Sequence, residues 1–448
     1  MSLVTKGIGL VKKIKHRYDA QIKARTPVYL SPVRRIERVA TTQRLVAMTF
    51  DDGPCRLPAN PDRFGGKPLT LVLAETLERY GAKGTFDVVG DTASNYPDRA
   101  GKEGSASWGG VAYDHYPDFE KDREGGVAHC PELVDRLLEG GHQLASHTWK
   151  HVLWGPKNVV YGNRKHMKEL DEVVADLRTM DRTLLEKWSY TLTMSRPPHY
   201  VDKIPGGFTS YDAYALMDYQ YMAASFDGAG WLPLATYEAE VEATWKPMAR
   251  LLEQDPDALC GQIIFQKDGF NMARRSPVAD GLEKQLELLA QYGYQVVTVD
   301  ELLAHSSFAD TEPDAATDAR LLLEKGWCVA FKDNTLRPDT VLTRSALAMM
   351  AYGKEGAAER IAGMKQRRNP FTDVKASHPY AGACALAKKR CLAGEERFNP
   401  DAPANQADLR RILTDRCPCA PEIIPEGPMT HGQFFALAAE LYRSLQEF

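Results

Sequence analysis

The sequence predicts an α/β protein in which a distorted (β/α) barrel of parallel strands, residues 41–305, precedes an all-α repeat domain, residues 306–448. Three observations carry that expectation. Apolar runs between about 40 and 305 alternate with stretches whose apolar residues recur at helical spacing, and strand, helix, strand in succession implies a parallel sheet. Residues with chemical capacity stand where two such runs end, at Asp51-Asp52 and at His147 and His151, which is where barrels of this kind carry their sites. From residue 308 onward the pattern gives way to a degenerate repeat of roughly sixty residues, the period of an array.

At 448 residues the chain has room for two or three domains, and 44% apolar with 26% charged content suits a globular protein with a large core. Lys+Arg of 56 against Asp+Glu of 60 leaves a formal net charge of -4, so no overall field draws in nucleic acid or a membrane surface, and neither is expected as a partner. The N-terminus is cationic but has no apolar run of signal-peptide length, and no later run is long enough to span a bilayer. The eight cysteines form no disulfide-dense framework, and Cys417 and Cys419 lack a companion pair for a zinc knuckle.

Residues 1–40 read as a basic, partly helical N-terminal arm, in which Lys12, Lys13, Lys15, His16 and Arg17 form a cationic cluster best taken as a solvated face. Val46 to Phe50 then make a buried strand that Gly53-Pro54 stops. Neighbouring strand residues point to opposite sides, so Asp51 and Asp52 can hold different jobs, one on a metal and one on a water. An Asp-Asp-Gly-Pro turn that caps the next helix is the bland alternative. A helix over 69–80 and a strand over 85–90 follow. Residues 91–129 lose all periodicity and read as an inserted surface loop, whose Trp108, Tyr113, His115 and Tyr116 either line one wall of a groove or pin the loop down.

A helix over 131–139 and a strand over 142–146 deliver His147 and His151. Two histidines four apart can face one point if the segment turns into helix, and a carboxylate from another strand end would complete a metal-ligand set with open positions. Taken by themselves they are equally two unrelated loop histidines. A surface helix runs through 187, residues 221–231 and 261–268 read as strands and strand ends, and a helix over 282–292 with a strand over 293–299 closes the series.

Three motifs resemble those of the polysaccharide deacetylase family, also called carbohydrate esterase family 4: TFDDGP at 49–54, SHTWKH at 146–151 and RPPHY at 196–200, in order. The resemblance spans roughly residues 40–305. It implies that Asp52, His147 and His151 hold a divalent metal, zinc first among them, while Asp51 is the general base that activates the attacking water. Attack on an N-acetyl carbonyl of an amino-sugar polysaccharide would release acetate and leave an amine. Arg196 would orient Asp51 and keep it ionised, and backbone N–H groups near Pro198 and His199 would stabilise the oxyanion. Pro198, Tyr200, Trp231 and Phe265 are expected against substrate.

Other positions depart from the family. Its fourth motif has an Asp before the Trp, where this chain has Gly230 before Trp231. Its fifth has a Leu and, two residues on, a His as general acid, where this chain has Phe265 and Lys267. Lys267 and His199 are the candidates to replace that acid, provided burial tunes the Lys.

In the C-terminal third, Phe308 aligns with Phe371 and Arg337-Pro338-Asp339 with Asn399-Pro400-Asp401, with a clipped third copy over 425–445. These repeats are similar to S-layer homology repeats, which implies a helical three-unit prism that holds an anionic cell-wall polymer. Thr343-Arg344 alone keeps the family's binding segment, with Gln406-Ala407 and Thr430-His431 at the other copies. A bundle that merely packs on the barrel is the alternative. The expected location is the bacterial cell surface if the chain is exported, and the cytoplasm otherwise.

Overall fold

The computed structural model describes residues 28–60, 63–91, 124–155, 166–231, 233–271, 275–416, 424 and 426–445. Nine strands form one parallel sheet: β1 Arg35–Ile36, β2 Leu45–Asp51, β3 Thr85–Val88, β4 Gln143–Ser146, β5 Met194–Ser195, β6 Gln220–Met222, β7 Phe226–Asp227, β8 Ile263–Lys267 and β9 Gln295–Val297. They lie in the order β7-β8-β2-β3-β4-β5-β6-β1, with β9 against the start of β2. The distorted barrel is thus an open, strongly curled half-barrel, and no pairing among the described residues joins β7 to β1.

The curl is legible in β2. Alternate residues face opposite ways along a strand. Val46, Met48 and Phe50 pack into the core shared with the surrounding helices, while Leu45 and Ala47 join an inner core with Ile36, Ala145, Met222 and Ile263. Thr49 and Asp51 continue the inner row, so the strand that begins in apolar packing ends on a carboxylate inside the curl. The register sets Asp51 between Lys267 of β8 and Asp87 of β3. On the outer face the Phe50 and Phe86 rings stack at 4.8 Å, each buried aromatic stabilising by roughly 1.5–3 kcal/mol. Gly84 makes room for them, since a Cβ there would lie 2.8 Å from Phe50 Cε2.

The helices α1 Leu69–Arg79, α2 Pro131–Glu139, α3 Leu170–Trp188, α4 Ser210–Met217, α5 Tyr237–Gln254 and α6 Pro277–Gln291 contribute to the outer core, and α7 Val299–His305 adds Val299 and Leu302 to the inner one. Within the N-terminal arm, residues 28–40 are extended rather than helical. Leu30–Ser31 pairs antiparallel with Ala330–Phe331, and β1 pairs with β6. Val33, Ile36 and Val39 are buried, so this stretch has apolar anchors that extended backbone can seat. The cationic cluster from Lys12 to Arg17, the aromatics Trp108, Tyr113, His115 and Tyr116, and Cys417 and Cys419 lie outside the described residues. The described cysteines are free thiols.

The C-terminal region is all-α apart from Ala330–Phe331, and its repeat is physical. Asp310 accepts from the N–H groups of Leu336 and Arg337, and Asp373 accepts from those of Phe398 and Asn399. Arg337 and Asn399 share a left-handed backbone, with φ of 47° and 51°. The segments that precede the helices Arg344–Gln366, Gln406–Arg416 and His431–Ser444 are laced together: Leu342 N–H donates to Met429 O at 2.8 Å, and Ala404 N–H to Leu342 O at 2.9 Å. The bundle also packs on the barrel. Arg360 pairs with Asp212 of α4 and Lys354 with Asp218, while Leu30 is buried in the C-terminal core.

Candidate metal centre

The turn after β2 brings both acids inside the curl. Alternation alone would send Asp52 outward, but its φ of 80° reverses the chain direction. Such a backbone costs energy for a residue other than Gly and persists where its surroundings over-determine it. Here the surroundings are Asp268 and Thr70. Asp268 N–H donates to Asp51 O at 2.7 Å, Cys55 N–H donates to Thr70 Oγ1 at 2.7 Å, and that hydroxyl lies 2.7 Å from Asp268 Oδ2. Burial pushes the Asp268 carboxyl up to about 7, against the Thr70 hydrogen bond. A Cβ on Gly53 would meet Asp268 Oδ2 at 1.8 Å, so only Gly fits this turn.

His147 and His151 converge, though not through the helical turn expected of them. Thr148 and His151 have left-handed backbones, φ 74° and 52°. Trp149 N–H donates to Asp176 Oδ2 of α3 at 2.8 Å, and His151 N–H to Thr148 Oγ1 at 3.0 Å. His147 Nε2 lies 3.3 Å and His151 Nε2 3.1 Å from Asp52 Oδ1. Bonds of about 2.0–2.1 Å to a tetrahedral zinc separate neighbouring ligand atoms by about 3.3 Å, so the donor set fits such an ion. His147 Nδ1 lies 2.9 Å from Arg196 O. A carbonyl only accepts, so Nδ1 carries the proton and Nε2 can offer a lone pair when the ring is neutral.

Asp51 sits beside this set. Arg196, fully buried, donates to Asp51 Oδ1, to Thr49 Oγ1 at 3.0 Å and to Met222 O at 3.3 Å. Asp51 Oδ2 is 3.7 Å from His147 Nε2. Burial pushes the Asp51 carboxyl up to about 6 despite Arg196 and His147, so the arginine offsets desolvation only in part. Burial also acts against ionised Asp52, but Lys267 and the imidazoles outweigh it and hold Asp52 well below the usual carboxylate range. Burial likewise disfavours a charged His147, yet Asp51 and Asp87 raise it well above an ordinary imidazole.

Asp51, Asp52, His147 and His151 line a cavity of about 550 Å³. Of the expected contacts, Tyr200, Trp231 and Phe265 line it, as do both candidate acids, Lys267 and His199. Lys267 Nζ is paired with Asp52 Oδ2, and the His199 ring lies 5.4 Å from that of His151. Pro198 is buried and absent from the lining. The Tyr200 and Val201 N–H groups donate to the Pro197 and Pro198 carbonyls within the turn. Gly230 has φ 91°, and a Cβ there would lie 2.4 Å from Val278 Cγ2. Trp231 pairs with Asp227, whose Oδ2 accepts from the indole N–H at 3.1 Å.

Sequence reasoning missed Asp87. It lies on the inner face of β3, fully buried, with its Oδ2 3.3 Å from His147 Nδ1 and 3.9 Å from Arg196 Nε. The signal was present, since an Asp interrupts the otherwise apolar end of the 85–90 strand. Asp51, Asp87 and His147 form a second close donor group beside Asp52, His147 and His151.

Residues 38–201 match the polysaccharide deacetylase family model, and residues 370–409 match the S-layer homology domain model. The chain therefore carries a carbohydrate esterase family 4 type polysaccharide deacetylase domain followed by an S-layer homology domain. It is 23% identical to the peptidoglycan-N-acetylglucosamine deacetylase PgdA of Listeria monocytogenes, covering 69% of this chain and 50% of that protein. It is 22% identical to a peptidoglycan-N-acetylglucosamine deacetylase of Bacillus cereus, over 60% of this chain and 92% of that one. The peptidoglycan-N-acetylmuramic acid deacetylase PdaC of Bacillus subtilis is 25% identical over 59% of this chain and 40% of its own length. The chain thus spans about half the length of the first of these relatives.

In the C-terminal domain, Arg344 is engaged internally. It donates to Phe398 O at 2.5 Å, to Glu395 at 3.1 Å and to Asp408 at 2.9 Å. No helix among the described residues is long and apolar enough to cross a membrane.

Proposed function

We propose that this chain is a metal-dependent hydrolase that removes N-acetyl, or O-acetyl, groups from a cell-wall or related amino-sugar polysaccharide. The observation that carries this reading is the coincidence of two arrangements in one cavity. Asp52, His147 and His151 offer three convergent donors, and Asp51, which is not needed as a ligand, is held beside them by a buried arginine. A divalent cation, zinc first among them, polarises the acyl carbonyl and makes water more acidic when bound.

The chain's own residues supply the remainder. Asp51 uses Oδ1 to accept from Arg196, which leaves Oδ2 directed to the metal side, where it takes the proton of the attacking water. The leaving amine needs a proton, and Lys267 and His199 are the groups in the cavity able to give one. Tyr200, Trp231 and Phe265 supply flat apolar faces for a sugar ring or acyl methyl. The peptidoglycan deacetylases among the relatives favour a wall glycan as the polymer. The S-layer homology domain supports attachment at the cell surface through an anionic wall polymer, which would compete with Glu395 and Asp408 for Arg344.

One observation favours a second reading, a glycan-binding module without turnover: Lys267 neutralises the carboxylate that the metal would share. Acetate release from N-acetylglucosamine oligomers in the presence of zinc, measured for wild type and Asp51→Asn, separates the two. Turnover that Asp51→Asn abolishes supports the hydrolase, and equal background rates with retained oligomer binding support the module.

A further inference from the structure

The inner row at the top of β8, β2 and β3 reads Lys267, Asp51, Asp87, a cation and an anion flanking the candidate base. Each end of the row touches a different metal-ligand candidate. Lys267 Nζ is on Asp52 Oδ2, and Asp87 Oδ2 is 3.3 Å from His147 Nδ1. Asp87 is unusual for a fully buried carboxylate, since neither of its oxygens accepts a hydrogen bond among the described residues. Leaving a buried acid so poorly satisfied is costly, so it needs compensation from charge. The helix–sheet core has no use for it: Phe86 and Val88 on either side pack outward, and Asp87 alone of the three faces in.

The charge count explains both ends together. The groups in contact with the donor set are three acids, Asp51, Asp52 and Asp87, and two bases, Arg196 and Lys267, with Asp268 behind the turn. With those five ionised and the imidazoles neutral, a divalent cation would leave them one charge positive, and without Asp87 two. Lys267 opposes the cation twice, by like charge and by occupying Asp52 Oδ2. Asp87 favours it through space, because a carboxylate 3.3 Å from the far nitrogen of a ligating imidazole offsets the positive charge that the ion adds, even though the Nδ1 proton itself goes to Arg196 O. We propose that Asp87 and Lys267 form a compensating pair of positioning residues that sets the metal affinity of the Asp52, His147 and His151 site, Lys267 lowering it and Asp87 restoring it. This rests on the metal-centre reading above.

The test is zinc affinity, measured by competition with a chromophoric chelator on full-length wild type, Asp87→Asn, Lys267→Gln and the double variant, with circular dichroism of each zinc-free protein. Asp87→Asn is expected to weaken zinc by about tenfold or more, within the 10–100-fold range typical of groups behind a ligand. Lys267→Gln is expected to tighten it, and the double variant to return close to wild type. Tightening is the decisive sign, because damage to the fold only weakens binding. Should Asp87→Asn misfold, Lys267→Gln alone decides. Wild type that takes up no divalent metal would sink the metal centre itself, whereas wild type that binds while Lys267→Gln fails to tighten, or a folded Asp87→Asn leaves affinity unchanged, would overturn this inference alone.

Discussion

The two walls of the cavity are built by different means. On the wall formed by the ends of β2, β4 and β5, the functional side chains are joined in one run of hydrogen bonds: Asp51 to Arg196, Arg196 to Thr49 and Met222, and His147 to Arg196 O. On the side formed by β7 and β8, Lys267 has its charged partner in Asp52, just beyond the end of the neighbouring β2, and Trp231 is 39% exposed with Asp227 as its polar contact. The first wall is knit by hydrogen bonds and lies within the residues that match the family model, whereas the second holds Lys267, Phe265 and Trp231, which lie beyond them. A change on the first should therefore abolish chemistry, and a change on the second should retune it.

The largest effect should follow from Asp51→Asn, which keeps the shape but removes the proton acceptor. Acetate release should fall by about 10²–10⁴-fold, the span of general base catalysis, while zinc uptake by dialysis stays at the wild-type level. Loss of zinc in this variant would mean that Asp51 is a ligand and erase the division of labour between the acids.

Next come the candidate acids. If Lys267 protonates the leaving amine, Lys267→Gln should lower turnover by about 10²-fold even as zinc binds more tightly, and His199→Ala should leave turnover within a few-fold. The reverse ranking would assign the acid to His199. The signs of affinity and turnover differ for Lys267, so a kinetic measurement beside a binding one sharpens the contrast between the walls.

A third expectation concerns pH. Burial lifts the Asp51 carboxyl to about 6, and the base works only when ionised. Turnover should thus fall about tenfold per unit on the acid side, with a separate alkaline limb where the general acid loses its proton. A cation bound nearby favours the ionised form, so the limb for the loaded protein should lie at or below about 6. An acid limb well above 6 would contradict Asp51 as the base.

The smallest effects concern substrate contact. Trp231→Ala should raise KM by a few-fold, consistent with about 0.5–1.5 kcal/mol for an aromatic contact, without moving kcat. A loss in kcat instead would draw Trp231 and its partner Asp227 into the chemistry.

Much of this was legible in the residues, and the remainder was hidden for physical reasons. The apolar run into Asp51 and the recurrence of helical spacing locate the strands within a few residues, since burial on both faces leaves little choice of residue type. The direction of Asp52, and the convergence of His147 with His151, depend on left-handed backbones at Asp52, Thr148 and His151, which those residue types do not announce. Helix α5 has no counterpart in the sequence reading, and Pro247 within it normally argues against helix. The strand at Arg35–Ile36 is short and its partner β6 lies far along the chain, so local pattern could not reveal it. Asp227, four residues before Trp231, accepts from its indole N–H, a pairing that the residues alone did not single out, while the backbone at Gly230 leaves no room for a side chain.

The most direct test of the whole account is an anomalous-scattering map of crystals grown with zinc. The account predicts a single strong peak about 2.0–2.2 Å from Asp52, His147 Nε2 and His151 Nε2, with Asp51 outside bonding distance. No peak there, or a peak between Asp51, Asp87 and His147 instead, would contradict it.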